Sequence, residues 1–340
     1  MIPLNESSAD EEQTCSLTSG VAMSRLRIVF CLLALPFVQR PVLAQATFAN
    51  VGGHPDFSGI WNSATATPLQ RPAKLKDKAF FTKDEAAEWE RAAAQNQNNT
   101  PARGVGTYNK EFFELGSRVL KTLRTSIVTD PADGRIPALT PAATAAKSRR
   151  MERLRNPDSA QDFGLQDRCL AFVTAGPPML PYHYNSNYQI SQTQDTLVVR
   201  AEMIHDARII PLDGRPHLPR SMQLWLGDSV GHWEGSSTLV VDTANFKDTG
   251  GFYGDAGGFF GWDDNLHLVE RFSFLDANTI LYRFEVEDPS AFTRPWKGEL
   301  TFQRTPGPIY EYACHEGNYA LKNMLRTGAQ KSGRDAGKGR

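Results

Sequence analysis

From residue 188 onward, apolar and polar side chains alternate with a period of two, in short segments separated by Asp, Gly, Asn and Pro. Such alternation marks strands with one buried and one wet face, joined as an antiparallel meander. Segments 188–193, 196–202, 204–212, 221–226, 231–233, 238–246, 267–274 and 279–286 read as strands, with 299–303 and 309–314 as additions. A mainly β protein follows. It is either an antiparallel, lipocalin-like barrel or a two-sheet sandwich, because both arrangements remove or protect exposed strand edges.

The pattern differs before residue 160. Phe57-Ser58-Gly59-Ile60-Trp61 reads as one short strand, and Thr82-Lys83-Asp84-Glu85 has the form of a capping box opening a helix through Ala94. Ser126-Ile127-Val128 is strand-like and runs into the turn Asp130-Pro131-Ala132-Asp133-Gly134, after which Thr140-Pro141 starts an Arg-rich helix to about Leu154. The expected organisation is a leader over 1–46, a helix and loop arm over 47–160 wrapping an antiparallel β domain over 161–326, and a disordered Gly/Lys/Arg tail over 327–340. A short helix over 320–326 ends the β domain.

Arg25 and Arg27 precede an apolar run over 28–38, and Val42-Leu43-Ala44-Gln45-Ala46 follows, in the order of a cleavable secretory signal. The run is interrupted by Pro36 and falls short of the ~20 residues a membrane-spanning helix needs. A secreted or periplasmic protein with no membrane span after processing is expected, and Met23 is a candidate start. Cys15 and Cys31 fall in the leader, which leaves Cys169 and Cys314 to pair as a disulfide in an oxidising compartment.

Composition narrows the function. Of 340 residues, 40% are hydrophobic, enough for a packed core, and 37 Lys and Arg against 38 Asp and Glu leave a net charge of -1. This balance gives no phosphate-tracking surface, so nucleic acid is not an expected partner. No glycine-rich phosphate loop joins a strand to a helix, so nucleotide chemistry is not expected either. The expected partner is a small-molecule ligand or substrate.

Two motifs dissolve on inspection. Gly227-Asp228-Ser229-Val230-Gly231 matches G-x-S-x-G, but strand and turn follow it where a nucleophile elbow needs a helix, so a turn is expected at Ser229. Asp130 to Gly134 lacks the later ligands of a calcium loop. Ionisable residues inside predicted strands are more informative, since burying them without partners is costly. His205, Asp206 and Arg208 interrupt an apolar strand; alternation puts Asp206 with Arg208 on one face and His205 with Ile209 on the other. In His267-Leu268-Val269-Glu270-Arg271-Phe272, Glu270 shares a face with Leu268 and Phe272, whereas His267 and Arg271 share the face of Val269. His315 and Glu316 lie beside Cys314.

The stretch 224–229, His232-Trp233-Glu234-Gly235, Thr238-Leu239-Val240-Val241-Asp242-Thr243, Leu268-Val269-Glu270-Arg271-Phe272 and Tyr310-Glu311-Tyr312-Ala313-Cys314-His315-Glu316-Gly317-Asn318-Tyr319 carry a resemblance. Over residues 55–326 the chain resembles a large family of exported β-rich bacterial proteins abundant in acidobacterial and proteobacterial genomes. The resemblance implies export and a β-rich domain, and carries no activity onto these residues.

The reading that collects these features is an exported enzyme acting on a small organic molecule, a saccharide or aromatic compound, by general acid–base chemistry in the barrel cavity. His205 and His267 serve as base and acid, and Asp206, Glu270 or Glu316 orients an imidazole, with His315 as a further candidate. Arg208 or Arg271 holds an anionic oxygen, and Tyr188, Tyr310, Trp225 and Trp233 position the substrate. Elimination, isomerisation and hydrolysis all fit. No cofactor is required, although His205, His267 and His315 or Glu316 are chemically suited to a divalent metal. The Gly-rich aromatic segment over 249–264 reads as a lid. The alternative is a lipocalin-like binding protein using the same cavity without chemistry.

Overall fold

The alternating half of the chain folds as one strongly hydrogen-bonded antiparallel sheet. The computed structural model describes residues 49–98, 116–155, 157–247 and 264–331. The leader, the body of the Gly-rich segment and the end of the tail lie outside these. The strands are β1 (Asn50–Val51), β2 (His54–Pro55), β3 (Gly59–Asn62), β4 (Val128–Asp130), β5 (Asn187–Gln192), β6 (Thr196–Ala201), β7 (Ala207–Pro211), β8 (Asp228–Glu234), β9 (Thr238–Ala244), β10 (His267–Asp276), β11 (Thr279–Glu287) and β12 (Trp296–Arg304). The helices are α1 (Lys83–Asn98), α2 (Pro141–Arg155) and α3 (Ala320–Lys331), the last running past the expected end at Arg326. Among the described residues no helix is long and apolar enough to cross a membrane.

The sheet runs β7-β6-β5-β3-β12-β11-β10-β9-β8, with β4 attached to β12. It curls into a nearly closed nine-strand barrel. No ladder joins β7 to β8, but Gly214 N–H donates to Gly231 O at 3.1 Å across the seam. Gly231 also makes room there: a Cβ on it would sit 2.7 Å from the Leu212 side chain.

Period-two alternation explains the interior. Leu268 and Phe272 on β10, Ile280 and Tyr282 on β11, Leu300 and Phe302 on β12, and Tyr188 on β5 are buried together. Their rings fill the barrel rather than line a void: Tyr188 stacks on Phe302 at 5.2 Å, Tyr282 on Phe302 at 5.1 Å, and Phe272 lies 5.1 Å from Tyr282. Filling of this kind is what a small barrel interior accommodates.

The arm does more than wrap. Its β3 is inserted between β5 and β12, with Trp61 opposite Tyr188 and Asn62 opposite Gln303, so the sheet crosses the boundary expected near residue 160. The Gly59-Ile60-Trp61 pattern is too short to reveal this from sequence. Further along, the arm covers the outer face of β11 and β12, where buried Glu299 accepts from Arg124 Nε at 2.9 Å and Arg283 Nε at 3.1 Å. The capping box of α1 forms as its sequence demands: Thr82 N–H donates to Glu85 at 2.8 Å and Glu85 N–H to Thr82 Oγ1 at 3.3 Å.

Three expected strands change. Residues 203–205 form a tight 3-10 turn, with Ile204 and His205 at positive φ, so β7 begins only at Ala207. Segment 221–226 makes one bridge, Leu224 to Phe246, because Met222 N–H turns back onto Pro219 O. Segment 309–314 joins no ladder; it is held instead by Tyr310 N–H donating to Glu202 at 2.9 Å. Cys169 and Cys314 are joined by a disulfide, with their Cα atoms 5.8 Å apart.

Candidate functional site

The first polar cluster is inside the barrel. Alternation along β7 aims Arg208 inward while Ile209 stays exposed, and alternation along β10 aims Glu270 inward. Arg208 donates to Glu270 at 3.0 Å through Nη1 and at 2.5 Å through Nη2. Nη2 also reaches Ser229 Oγ of β8 at 3.0 Å and Thr243 Oγ1 of β9 at 3.4 Å. Tyr282 O–H donates to Glu270 at 2.8 Å, and its oxygen accepts from Met179 N–H at 3.0 Å. The pair is sealed, with side-chain exposures of 3% and 0%. Burial alone would favour neutral Arg208, but Glu270 outweighs it and keeps the guanidinium charged. Tyr188 and Tyr282 are pushed well up by burial, so both stay protonated.

Arg208, Glu270 and Tyr188 thus belong to the packed core, and a solvent-borne ligand does not reach them. One guanidinium from β7 spans to β8, β9 and β10, so it bridges the seam that no ladder closes. Ser229, the centre of the G-x-S-x-G match, is a buried strand residue in this network. Trp233 is packed as well, stacked on His54 at 4.2 Å. Trp225 is half-buried under Lys247, whose Nζ sits 4.5 Å from its ring.

His205 and His267 are not brought together. His205 is exposed on its turn, with Nδ1 2.9 Å from Tyr312 O. Its neighbour Asp206 has a buried Oδ2 without a hydrogen-bond partner, and burial pushes its carboxyl up to about 6. His315 and Glu316 lie exposed in the turn after Cys314. Asp130 and Asp133 sit in an ordinary turn: Asp130 pairs with Arg294 at 2.8 Å, and Asp133 accepts from Arg135 N–H at 3.0 Å. Among the described residues, no group of three or more His, Cys, Asp and Glu side chains is disposed to hold a metal ion.

His267 instead belongs to a chain of imidazoles and carboxylates on the outer wall. The registers of β8, β9, β10 and β11 set Asp228, Asp242, His267 and Glu287 on that face, and His217 reaches them from the connection between β7 and β8. His217 lies between two carboxylates, with Nδ1 3.0 Å from Asp228 and Nε2 2.8 Å from Asp242. His267 Nε2 meets the same Asp242 at 2.9 Å, and its Nδ1 faces Glu287 at 3.8 Å. Leu218 N–H fixes Asp228 at 2.8 Å. Arg271 lies on this face too, 3.7 Å from Glu234. Sequence reading did not find His217, Asp228 or Asp242.

The hydrogen bond that His267 donates to Asp242 holds the imidazole above its ordinary value, against a smaller opposing effect of burial. Partial burial of Asp242 works against its charge, but the bonds from His267 and His217 outweigh it and keep the carboxyl below the usual range. Because the His267 value is raised, the stabilisation it gives is complete below about pH 6.5, the unfolded value, and is lost as pH rises through the folded one. The urea midpoint is therefore expected to fall as pH climbs above 6.5, and Asp242→Asn should flatten that slope. With the imidazole 42% exposed, screening limits the effect to about 1 kcal/mol. An unchanged slope in the variant would show that the pair does not couple to stability.

No protein-family model matches the chain, and no curated protein matches it. The fold and these contacts define a class: an antiparallel β barrel with an ion-paired, filled core and a half-exposed imidazole–carboxylate chain on its wall.

Proposed function

We propose that the protein is an exported enzyme acting on a small organic molecule by general acid–base chemistry, with His267 as the proton-transferring group. The observation that carries this reading is Asp242 held between two imidazoles, with one of them half-exposed. Asp242 fixes the orientation of His267 through Nε2, and Nδ1 points to the solvent side, where the Glu287 carboxylate at 3.8 Å must give way for exchange with a substrate. The contact with Asp242 favours the protonated imidazole, which suits a general acid. His217, anchored by Asp228, helps keep Asp242 charged and in place. Arg271 and Glu234 supply charge on the same wall. The disulfide between Cys169 and Cys314 supports an oxidising compartment, secreted or periplasmic.

The test is a screen of the purified protein against nitrophenyl glycosides, aryl esters and β-elimination substrates. At least one should turn over, with kcat/KM falling as pH rises through the His267 value. His267→Gln should lower kcat by roughly 10²- to 10⁴-fold while costing no more than about 1 kcal/mol of stability, the amount the pair with Asp242 supplies. Equal turnover in wild type and variant would reject the assignment.

A further inference from the structure

A cleft of about 400 Å³ opens between the ends of β3 and β5 and the stretch 305–310. It is separate in its residues from the outer-wall histidines, and what it holds does not depend on the acid–base reading. Among the described residues, none of the side chains lining it is charged: Asn62, Asn187, Ser117 and Thr305 supply amides and hydroxyls, and Tyr310 supplies a ring. A charged ligand would find no countercharge there. An apolar one would strip water from the amides without replacing their hydrogen bonds.

The polar groups are fixed in advance. Glu202 is 2% exposed, and both of its oxygens are engaged, one by Asn187 Nδ2 at 2.6 Å and the other by Tyr310 N–H at 2.9 Å. Asn187 Oδ1 in turn accepts from Asn62 Nδ2 at 2.7 Å, and Asn62 Oδ1 accepts from Ala64 N–H at 2.7 Å. Each amide is locked in one orientation and still keeps one N–H and one lone pair in reserve. Paired donors and acceptors of this kind match vicinal hydroxyl groups. Beside them the Tyr310 side chain stands 66% exposed, held to the fold through its backbone. An exposed ring next to rigid amides fits the apolar C–H face of a sugar ring.

We infer that this cleft is a binding site for a neutral saccharide of one or two rings, with Asn62 and Asn187 reading hydroxyls and Tyr310 stacking on a ring face. Tyr310→Ala removes the platform and leaves the backbone bond to Glu202, so the fold is kept; Tyr310→Phe keeps the platform and removes only the hydroxyl.

The experiment titrates the full chain by calorimetry and ligand-observed NMR with methyl glucoside, methyl galactoside, methyl mannoside, N-acetylglucosamine, maltose and cellobiose. At least one should bind saturably, with a Kd at or below about 10 mM. Tyr310→Ala should weaken it roughly tenfold, and Tyr310→Phe should bind within about twofold of wild type. Failure of every sugar to saturate, or equal binding by the alanine variant, would overturn the inference.

Discussion

Arg208→Met is expected to lower the unfolding free energy by about 3–5 kcal/mol, because it leaves Glu270 buried in the barrel core without its counterion. Glu270 is 0% exposed and keeps only the Tyr282 hydroxyl as a donor, so the variant must bury an uncompensated carboxylate or take up a proton. Ser229 and Thr243 also lose a donor each. The double variant Arg208→Met with Glu270→Leu should recover much of the loss, since replacing both partners of a buried pair by apolar groups is often near neutral. The two effects of Arg208 can be separated by hydrogen exchange. If the guanidinium holds β7 against β8 in place of a ladder, β7 amides should exchange faster in the double variant even where global stability has returned. A single variant within about 1 kcal/mol of wild type in urea would contradict the role of the pair.

The second large effect is expected from Cys169 and Cys314. Their sequence separation is 145, and the loop they close contains every strand from β5 to β12. On the chain-entropy account, cross-linking a loop of that length stabilises by about 5 kcal/mol. Replacing both cysteines by serine, or unfolding in reductant, should move the urea midpoint down by a large fraction of its value. A midpoint unmoved by reductant would mean that the unfolded chain is already held compact.

Much of the barrel is legible in the sequence because hairpins carry their own information. Alternation in 188–202 and 267–286 sets which residues face inward, and the expected faces of Glu270, His267 and Arg271 are those observed. The turn after β8 also fixes register: Val230 falls opposite Asp242, which makes Asp228 and Asp242 diagonal neighbours, while on β10 His267 falls directly opposite Glu287. The β10 pairing depends on a bulge between Phe274 and Asp276 that shifts the ladder by one residue, whereas the β8 pairing was available from turn position alone. The contact of His267 with Asp242 was not, since β9 and β10 are joined through a long segment whose length does not set register. His217 lies in a Pro- and Arg-flanked loop without periodicity, so only tertiary structure brings it to Asp242. His205 misled because an apolar run over 204–212 looks like one strand, whereas positive φ at Ile204 and His205 breaks it.

The placement of β3 has a consequence for the order of events in biogenesis. Residues 59–62 are synthesised before the other barrel strands, yet they bond to β5 near residue 190 and to β12 near residue 303. Neither neighbour exists until most of the polypeptide has been delivered. The keystone of the ring is thus the earliest of the barrel strands to be synthesised and the last to find both its partners. Such distant pairing slows folding and keeps the chain open. An unfinished ring also leaves the facing edges of β5 and β12 unpaired, so late closure keeps both open to other partners until the final strand arrives.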